Sequence, residues 1–177
     1  MSEETKKHLL KNVNENIGKL EILPQWVICE SSGSTHLQVS SAAPSFQGSK
    51  MPEENSLETE ICKKLVTVQY EEIAKLAVLQ SILLEREIPL HLTLIGQGAF
   101  NNPSSVIAEA FNKVANIVKG YDVKVFIHVF GDADRDKFMQ AKTDNFTFEE
   151  MSREVFINCP KEYSTANIIF KMWDFFS

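Results

Sequence analysis

The strongest chemical signal in the sequence is a glycine loop between a strand pattern and a helix pattern. It reads Gly96-Gln97-Gly98-Ala99-Phe100-Asn101-Asn102-Pro103. Because glycine has no Cβ, the backbone of such a loop can turn sharply and come close to a ligand. Its backbone N–H groups, next to a helix N-terminus, favour an anion such as a phosphate. We therefore take this glycine loop (Gly96–Pro103) as the candidate ligand site.

Three side chains of the glycine loop have two interpretations each. Phe100 could stack on a sugar or a base, or it could fill the core beneath the loop. Asn101 and Asn102 could hydrogen-bond to ligand hydroxyls, or they could cap the following helix. An ordinary strand-to-helix turn also fits the pattern, because two glycines alone are a weak signal.

Histidines are the other candidate ligands or catalysts, and there are four: His8, His36, His91 and His128. His91 and His128 lie in strands predicted to be neighbours, so they could approach each other. Core histidines with ordinary hydrogen bonds are the commoner case. A metal site needs several ligands at regular spacing, and no nucleophile motif of the G-x-S-x-G type accompanies His36. We therefore predict neither a metal site nor a serine nucleophile.

Two acidic clusters have simpler interpretations than catalysis. Glu71 and Glu72 are adjacent on a predicted helix, so their carboxylates point in different directions, as on a solvated face. The run Asp132–Asp136 resembles the first half of a calcium loop. Lys137 and Thr143 stand where that loop needs a glycine and a glutamate. We expect a charged surface loop there.

Composition argues against several classes of protein. The chain has 177 residues, 44% of them hydrophobic, and a net charge of −6. These values fit one globular domain and argue against nucleic-acid binding, which needs clustered Lys and Arg. The three cysteines lack paired spacing, so neither disulfides nor a zinc site are expected. With no signal peptide and no apolar run of membrane length, we expect a cytoplasmic protein without membrane contact and without a cofactor.

The elements around the glycine loop follow a strand–helix–strand order. Apolar residues crowd Leu90–Ile95 and Asp122–Phe130. A helix capped by Ser104 is predicted between them, with Gly120 at its C-terminal end. This order predicts parallel strands joined by a right-handed crossover. We therefore expect an α/β fold, with a parallel or mixed sheet flanked by helices.

The rest of the chain adds further elements on both sides of this unit. Helices are predicted over Thr5–Leu20 and from about Ser56 to Leu84, and strands at Trp26–Cys29 and Leu37–Ser41. A last helix is predicted near residue 164, and its apolar face comprises Ile168, Ile169, Met172, Trp173, Phe175 and Phe176. We divide the chain into an N-terminal helix (1–24), a core (25–132) and a charged loop with a C-terminal helical extension (133–177).

The glycine loop and its setting resemble the C-terminal half of a macrodomain. Such domains have a strand that leads into G-x-G-[small or aliphatic]-[Phe or Tyr]-x-x-Pro, then an amphipathic helix and a final strand. The loop supplies the matching residues in order, namely Gly96, Gly98, Ala99, Phe100 and Pro103. The run Gln38–Pro44 followed by Val68–Glu71 resembles the members that are akin to poly(ADP-ribose) glycohydrolases. The resemblance covers roughly residues 25–132.

This resemblance implies a ligand and a set of contacts. It implies that the backbone of Gly96–Phe100 wraps the diphosphate and distal ribose of ADP-ribose, with Phe100 near that ribose. It adds Ala43, from the run Gln38–Pro44, to the ligand-binding residues. By position it brings Phe130 and Asp132 near the adenosine. ADP-ribose or an ADP-ribosylated protein is then the expected partner.

The sequence also departs from the family. The Asn- and Gly-rich loop and the triple-glycine catalytic loop of the family have no counterpart before Trp26, and Gln97 stands where the family often has Ser or Thr. The resemblance therefore implies ADP-ribose binding without catalysis. The alternatives are an ADP-ribosyl hydrolase and a non-enzymatic interaction domain that uses the C-terminal helix. The missing half has three explanations: a remnant domain, a truncated chain, or a sheet that residues after Gly131 complete.

Overall fold

The computed structural model describes residues 2–28, 35–46, 50–97, 100–129, 146–150 and 165–172. Within these residues the elements follow one another as helix α1, one turn of 3-10 helix, strands β1 and β2, helix α2, strand β3, helix α3, and strands β4 to β6. Their bounds are α1 Glu3–Asn16, the 3-10 turn Ile17–Lys19, β1 Pro24–Ile28, β2 Thr35–Ser41, α2 Leu57–Leu84, β3 Ile88–Thr93, α3 Ser104–Val118, β4 Val123–Val129, β5 Phe146–Glu150 and β6 Thr165–Met172.

The six described strands form one mixed sheet in the order β1-β2-β6-β3-β4-β5. Only β1 is antiparallel to its neighbour, β2, and every other pair is parallel. The predicted parallel pairing across the strand–helix–strand unit is therefore confirmed, since β3 and β4 are neighbours joined through α3. The expected α/β class with a mixed sheet is confirmed as well.

Local sequence explains where the two central helices begin and end. Ser56 caps α2, because its hydroxyl accepts a hydrogen bond of 3.2 Å from the backbone N–H of Thr59. Helix α2 ends at Leu84, and Glu85 at its C-terminal cap has a left-handed backbone with φ of 49°. Helix α3 begins at Ser104 itself and not after it, because the capping position is Pro103. Gly120 follows α3 with φ of +86°, as its sequence position predicts.

Helices α2 and α3 pack on one face of the sheet and form a core with it. Buried residues of α2 and α3, such as Tyr70 and Phe111, join Leu90, Leu92 and Val125 from the strands in this core. Cys62 is also buried there, and desolvation raises the pKa of its thiol to about 12, so it is an apolar core residue. In the described part of the chain, no helix is both long and apolar enough to cross a bilayer.

The opposite face of the sheet carries the strand residues that alternate with the core. His91 stands beside Phe126 in the register of β3 and β4, and Thr93 stands beside His128. His36 occupies the equivalent face of β2, next to the core residue Leu37. We call this group, comprising His36, His91, Thr93, Phe126 and His128, the histidine face. It is more polar than the helix-covered face, which carries Val, Leu and Ile.

The predicted C-terminal helix is wrong over residues 165–172. These residues form β6, which lies between β2 and β3 and pairs in parallel with both. A short apolar run such as Ile168–Phe170 fits a helix face and a buried strand equally well, and only its distant partners decide between them. Residues 173–176, the rest of that predicted face, lie outside the described residues. Strands β5 and β6, which both follow Gly131, therefore belong to the same sheet as β1 to β4.

Candidate functional site

The glycine loop lies at the edge of the sheet where the parallel strands end. It leaves the carboxyl end of β3 and enters α3. Since β2 and β6 run parallel to β3, their last residues, Ser41 and Met172, are paired at the same edge. In open α/β sheets, ligands bind in the crevice outside the carboxyl ends of the strands. The loop therefore has the position that a ligand site in this class of fold requires.

Gly96 begins the loop, and only glycine fits there. Its φ is +79°, and a Cβ at this position would lie 2.6 Å from Asn102 Nδ2 and 2.7 Å from Ala43 Cβ. The sequence analysis expected a ligand to come close to the loop backbone. At Gly96 the groups that come close are Asn102 and Ala43 of the protein itself. Ala43, which sequence reasoning assigned to the site, is brought directly against the start of the glycine loop.

Asn102 holds the closed shape of the loop. Its backbone N–H donates to the Gly96 carbonyl at 3.0 Å, and its side-chain Nδ2 donates to the carbonyls of Pro44 at 2.8 Å and Gly96 at 3.1 Å. The side chain is buried, and its Oδ1 accepts no hydrogen bond from the described part of the chain. Asn102 therefore does not cap α3. It ties the loop to the segment that follows β2.

The other predicted site residues have mixed outcomes. Phe100 packs against the core, and its carbonyl accepts a hydrogen bond of 2.9 Å from the Phe46 N–H, so the core-filling interpretation applies to this ring. Gln97 Nε2 donates to the Asn102 carbonyl at 2.9 Å. Asn101 has a left-handed backbone with φ of 55° and is half-buried. The remaining predicted residues lie outside the described residues, namely Gly98, Ala99, Phe130 and Asp132.

Helix α2 fixes both segments that form the site, namely the end of β2 and the end of β3. The sequence did not predict this role for the helix. The Tyr70 hydroxyl is buried between β3 and the loop, where it donates to the Thr93 carbonyl and accepts from the Ile95 N–H at 3.1 Å. Desolvation raises the pKa of this phenol above its ordinary value. Tyr70 is therefore a neutral strut that holds the entry of the glycine loop. In the sequence, Tyr70 was part of the run Val68–Glu71 that resembles the family, but no contact was predicted for it.

Gln69, the residue before Tyr70, fixes the neighbouring segment. Its Oε1 accepts hydrogen bonds from the Ser41 hydroxyl and from the Ala42 N–H at 3.2 Å. Its Nε2 donates to the Ala42 carbonyl at 2.9 Å. One turn of α2 therefore anchors the end of β2 and the end of β3 at the same time.

His91 and His128 are in contact on the histidine face. The prediction that their strands are neighbours had left this contact open. His91 Nδ1 lies 2.8 Å from His128 Nε2, and Phe126 stacks on His91 with 4.8 Å between ring centroids. Desolvation, followed by the nearby His128 and His36, lowers the pKa of His91 to about 3. His91 is therefore neutral over the physiological range. No group of three His, Cys, Asp or Glu among the described residues could hold a metal ion.

A groove of about 460 Å³ lies on the outer side of α2 and does not include the glycine loop. Most of the residues that line it are charged, with both lysines and glutamates present, and they include Glu71 and Glu72. Lys75 pairs with Glu72 at 2.6 Å, and Lys63 pairs with Glu109 at 3.7 Å across the groove. Mixed and partly paired charges are typical of a solvated helix face. The groove therefore does not compete with the glycine loop as a ligand site.

Comparison with known proteins adds no assignment to this geometry. The sequence matches none of the models of known protein families, and a search among curated proteins finds no match.

Proposed function

We propose that the protein binds ADP-ribose or a related nucleoside diphosphate through the glycine loop, and that it does so without catalysis. The observation that carries this proposal is a glycine loop whose described ends are fixed by hydrogen bonds at the carboxyl edge of the parallel strands, directly before a helix. That position offers a ligand backbone N–H groups and a helix dipole in one place.

The fixed ends of the loop support binding because less ordering remains to be done there when a ligand arrives. Asn102 and Tyr70 hold the loop through buried hydrogen bonds, and Gln69 holds the segment beside it. A loop that is already ordered loses less conformational entropy on binding, which raises affinity without any new contact. These three side chains are therefore positioning residues.

Charge favours an anionic group at the start of α3. The N-terminus of a helix carries a partial positive charge, and Pro103 at the capping position makes no side-chain hydrogen bond to the first turn. The first turn of α3 contains no acidic residue of its own, although the Ser105 hydroxyl in that turn donates to the Glu54 carboxylate. A phosphate that docks there would take the place of the missing cap.

The chemistry of the described residues around the loop supports binding without catalysis. Gln69, Gln97 and Asn102 are neutral amides, and the pKa of Tyr70 is raised, so none of these side chains is a general base near neutral pH. The histidine pair lies on the histidine face, where His91 and His128 hydrogen-bond to each other.

Isothermal titration calorimetry with ADP-ribose tests the proposal, with ADP and ribose 5-phosphate as partial ligands. We expect binding of ADP-ribose with a Kd below about 1 mM. Gly98→Glu, which adds a carboxylate within the loop, should abolish it. Gly18→Glu is the matched control, because a Cβ at Gly18 meets nothing within 4 Å. Gly18→Glu should therefore bind as the wild type does.

Two outcomes would overturn the proposal or part of it. Absence of heat with millimolar ADP-ribose would remove the binding function altogether. Release of ADP-ribose from an ADP-ribosylated protein, lost in Gly98→Glu but not in Gly18→Glu, would show a hydrolase and remove the claim of binding without catalysis.

A further inference from the structure

Among the described strands, β1 forms an edge of the sheet that has little of the usual protection. Among the described strands it pairs only with β2, and all five of its residues are exposed. Natural edge strands are usually protected by lysines, bulges or inward-pointing charges. The sequence of β1, Pro-Gln-Trp-Val-Ile, contains no charge, and its register with β2 is regular. Pro24, at its first position, is the one blocking residue in it.

Large apolar side chains extend along this edge. Trp26 is 60% exposed, Ile28 is 69% exposed, and Leu23 just before the strand is 74% exposed. Trp26 stands opposite Leu37, a core residue of β2, so Trp26 lies on the helix-covered face of the sheet. The apolar face therefore continues past β2 to the open edge.

We propose that two copies of this chain associate through antiparallel pairing of their β1 strands, which makes one continuous sheet across both. The row of backbone N–H and C=O groups along a sheet edge selects another strand as its occupant. A two-fold axis at Trp26, the midpoint of β1, places each Pro24 opposite the Ile28 of the other copy. Side chains directly opposite in an antiparallel pair share a face, so the apolar residues of both copies meet.

Charge is compatible with a second copy as the occupant. Each chain carries a net charge of −6, which opposes association in general. The paired segment itself is uncharged, so no like charges are forced together at the contact. The same surface patch serves both copies, as a two-fold interface requires.

The available area sets the strength of this dimer. Leu23, Trp26 and Ile28 together offer about 400 Å² of apolar surface per copy, given roughly 150–250 Å² for a large aromatic side chain and somewhat less for an aliphatic one. With the backbone edge included, both copies bury about 1,000 Å², which is the lower end for specific interfaces. We therefore expect a reversible dimer with a Kd on the order of 10 µM.

Sedimentation velocity from about 1 µM to about 500 µM tests this dimer, since the range spans the expected Kd. Wild type should shift from monomer to dimer. Ile28→Lys should weaken the dimer at least about tenfold, because it places a charge at the edge. Leu83→Lys is the matched control, since Leu83 on α2 is 70% exposed and Ile28 is 69% exposed. Leu83→Lys should dimerise as wild type does.

A mixing experiment tests the two-fold register at Trp26. Trp26→Lys and Trp26→Glu should each be monomeric alone, because like charges would stand directly opposite. Mixed together they should form a dimer that contains one copy of each, detected by native mass spectrometry. A wild type that stays monomeric over the whole range, an equal effect of Leu83→Lys and Ile28→Lys, or a mixture that remains monomeric would each overturn the proposal. If the protein stays monomeric and binds an extended peptide along β1, the proposal that a second copy pairs with β1 is overturned.

Discussion

Acidification should destabilise the fold through His91, which is neutral when folded. Burial, with His128 and His36 nearby, lowers the pKa of His91 from 6.5 to about 3. In the unfolded chain the same ring has its ordinary pKa and takes up a proton below about pH 6.5. Between these two values the unfolded state binds a proton that the folded state does not. Stability from this group is therefore present near neutral pH and is lost as the pH falls from about 6.5 to about 3.

The size of the effect follows from the same shift. At pH 4 the unfolded His91 is almost fully protonated and the folded ring is almost fully neutral, which corresponds to a loss of about 3 kcal/mol relative to pH 7. Such a loss is a large share of the stability of a small domain. The variant His91→Gln removes the titrating group and keeps a side chain that can hydrogen-bond to His128.

Urea unfolding at pH 7, 5 and 4 measures the difference. The wild type should lose about 3 kcal/mol more than His91→Gln between pH 7 and pH 4. His8→Gln is the control, because His8 is exposed on α1, and this variant should follow the wild type. Equal losses in the wild type and His91→Gln would refute the reasoning, because the histidine contact would then carry no linkage to protons.

Two further substitutions test the packing of the glycine loop. Gly96→Ala should cost about 2–4 kcal/mol in urea unfolding, because its Cβ would meet the Asn102 amide at 2.6 Å in a left-handed backbone. Gly18→Ala should be nearly neutral, and similar costs for both would contradict the clash. Tyr70→Phe should cost about 1 kcal/mol, since the Thr93 carbonyl and the Ile95 N–H lose the hydroxyl that they share and keep only their mutual hydrogen bond of 3.1 Å. Tyr121→Phe, at an exposed tyrosine, should change stability little, and an equal change in both would remove the role of the buried hydroxyl.

Local patterns predicted the unit around the glycine loop because each of its parts is determined by near neighbours. The apolar crowding of Leu90–Ile95 and the stripe that follows Ser104 are short-range signals, and they gave the parallel pair β3 and β4. The contact between His91 and His128 followed from that pairing alone. The general α/β class and the position of the loop could therefore be predicted.

What the sequence did not reveal depends on contacts between distant segments. Residues 165–172 form a strand because β2 and β3 leave a place between them, which no local period records. The contact of Asn102 with Pro44 spans the chain in the same way, as does the bond of Tyr70 to the end of β3. The position of the candidate loop in the sequence could be predicted, but the hydrogen bonds that fix its ends could not.

The central place of β6 has a consequence for the order in which the protein folds. During synthesis β2 and β3 leave the ribosome well before Thr165–Met172, and they do not pair with each other in the finished sheet. Each of them therefore carries an open edge until β6 arrives, and intermediates with open edges are prone to aggregate. Insertion between two strands also closes long loops at once, which slows folding. The last of the described strands in sequence is thus the one that joins the two parts of the sheet. Until β6 pairs with β2 and β3, the carboxyl ends of the parallel strands beside the glycine loop are not assembled.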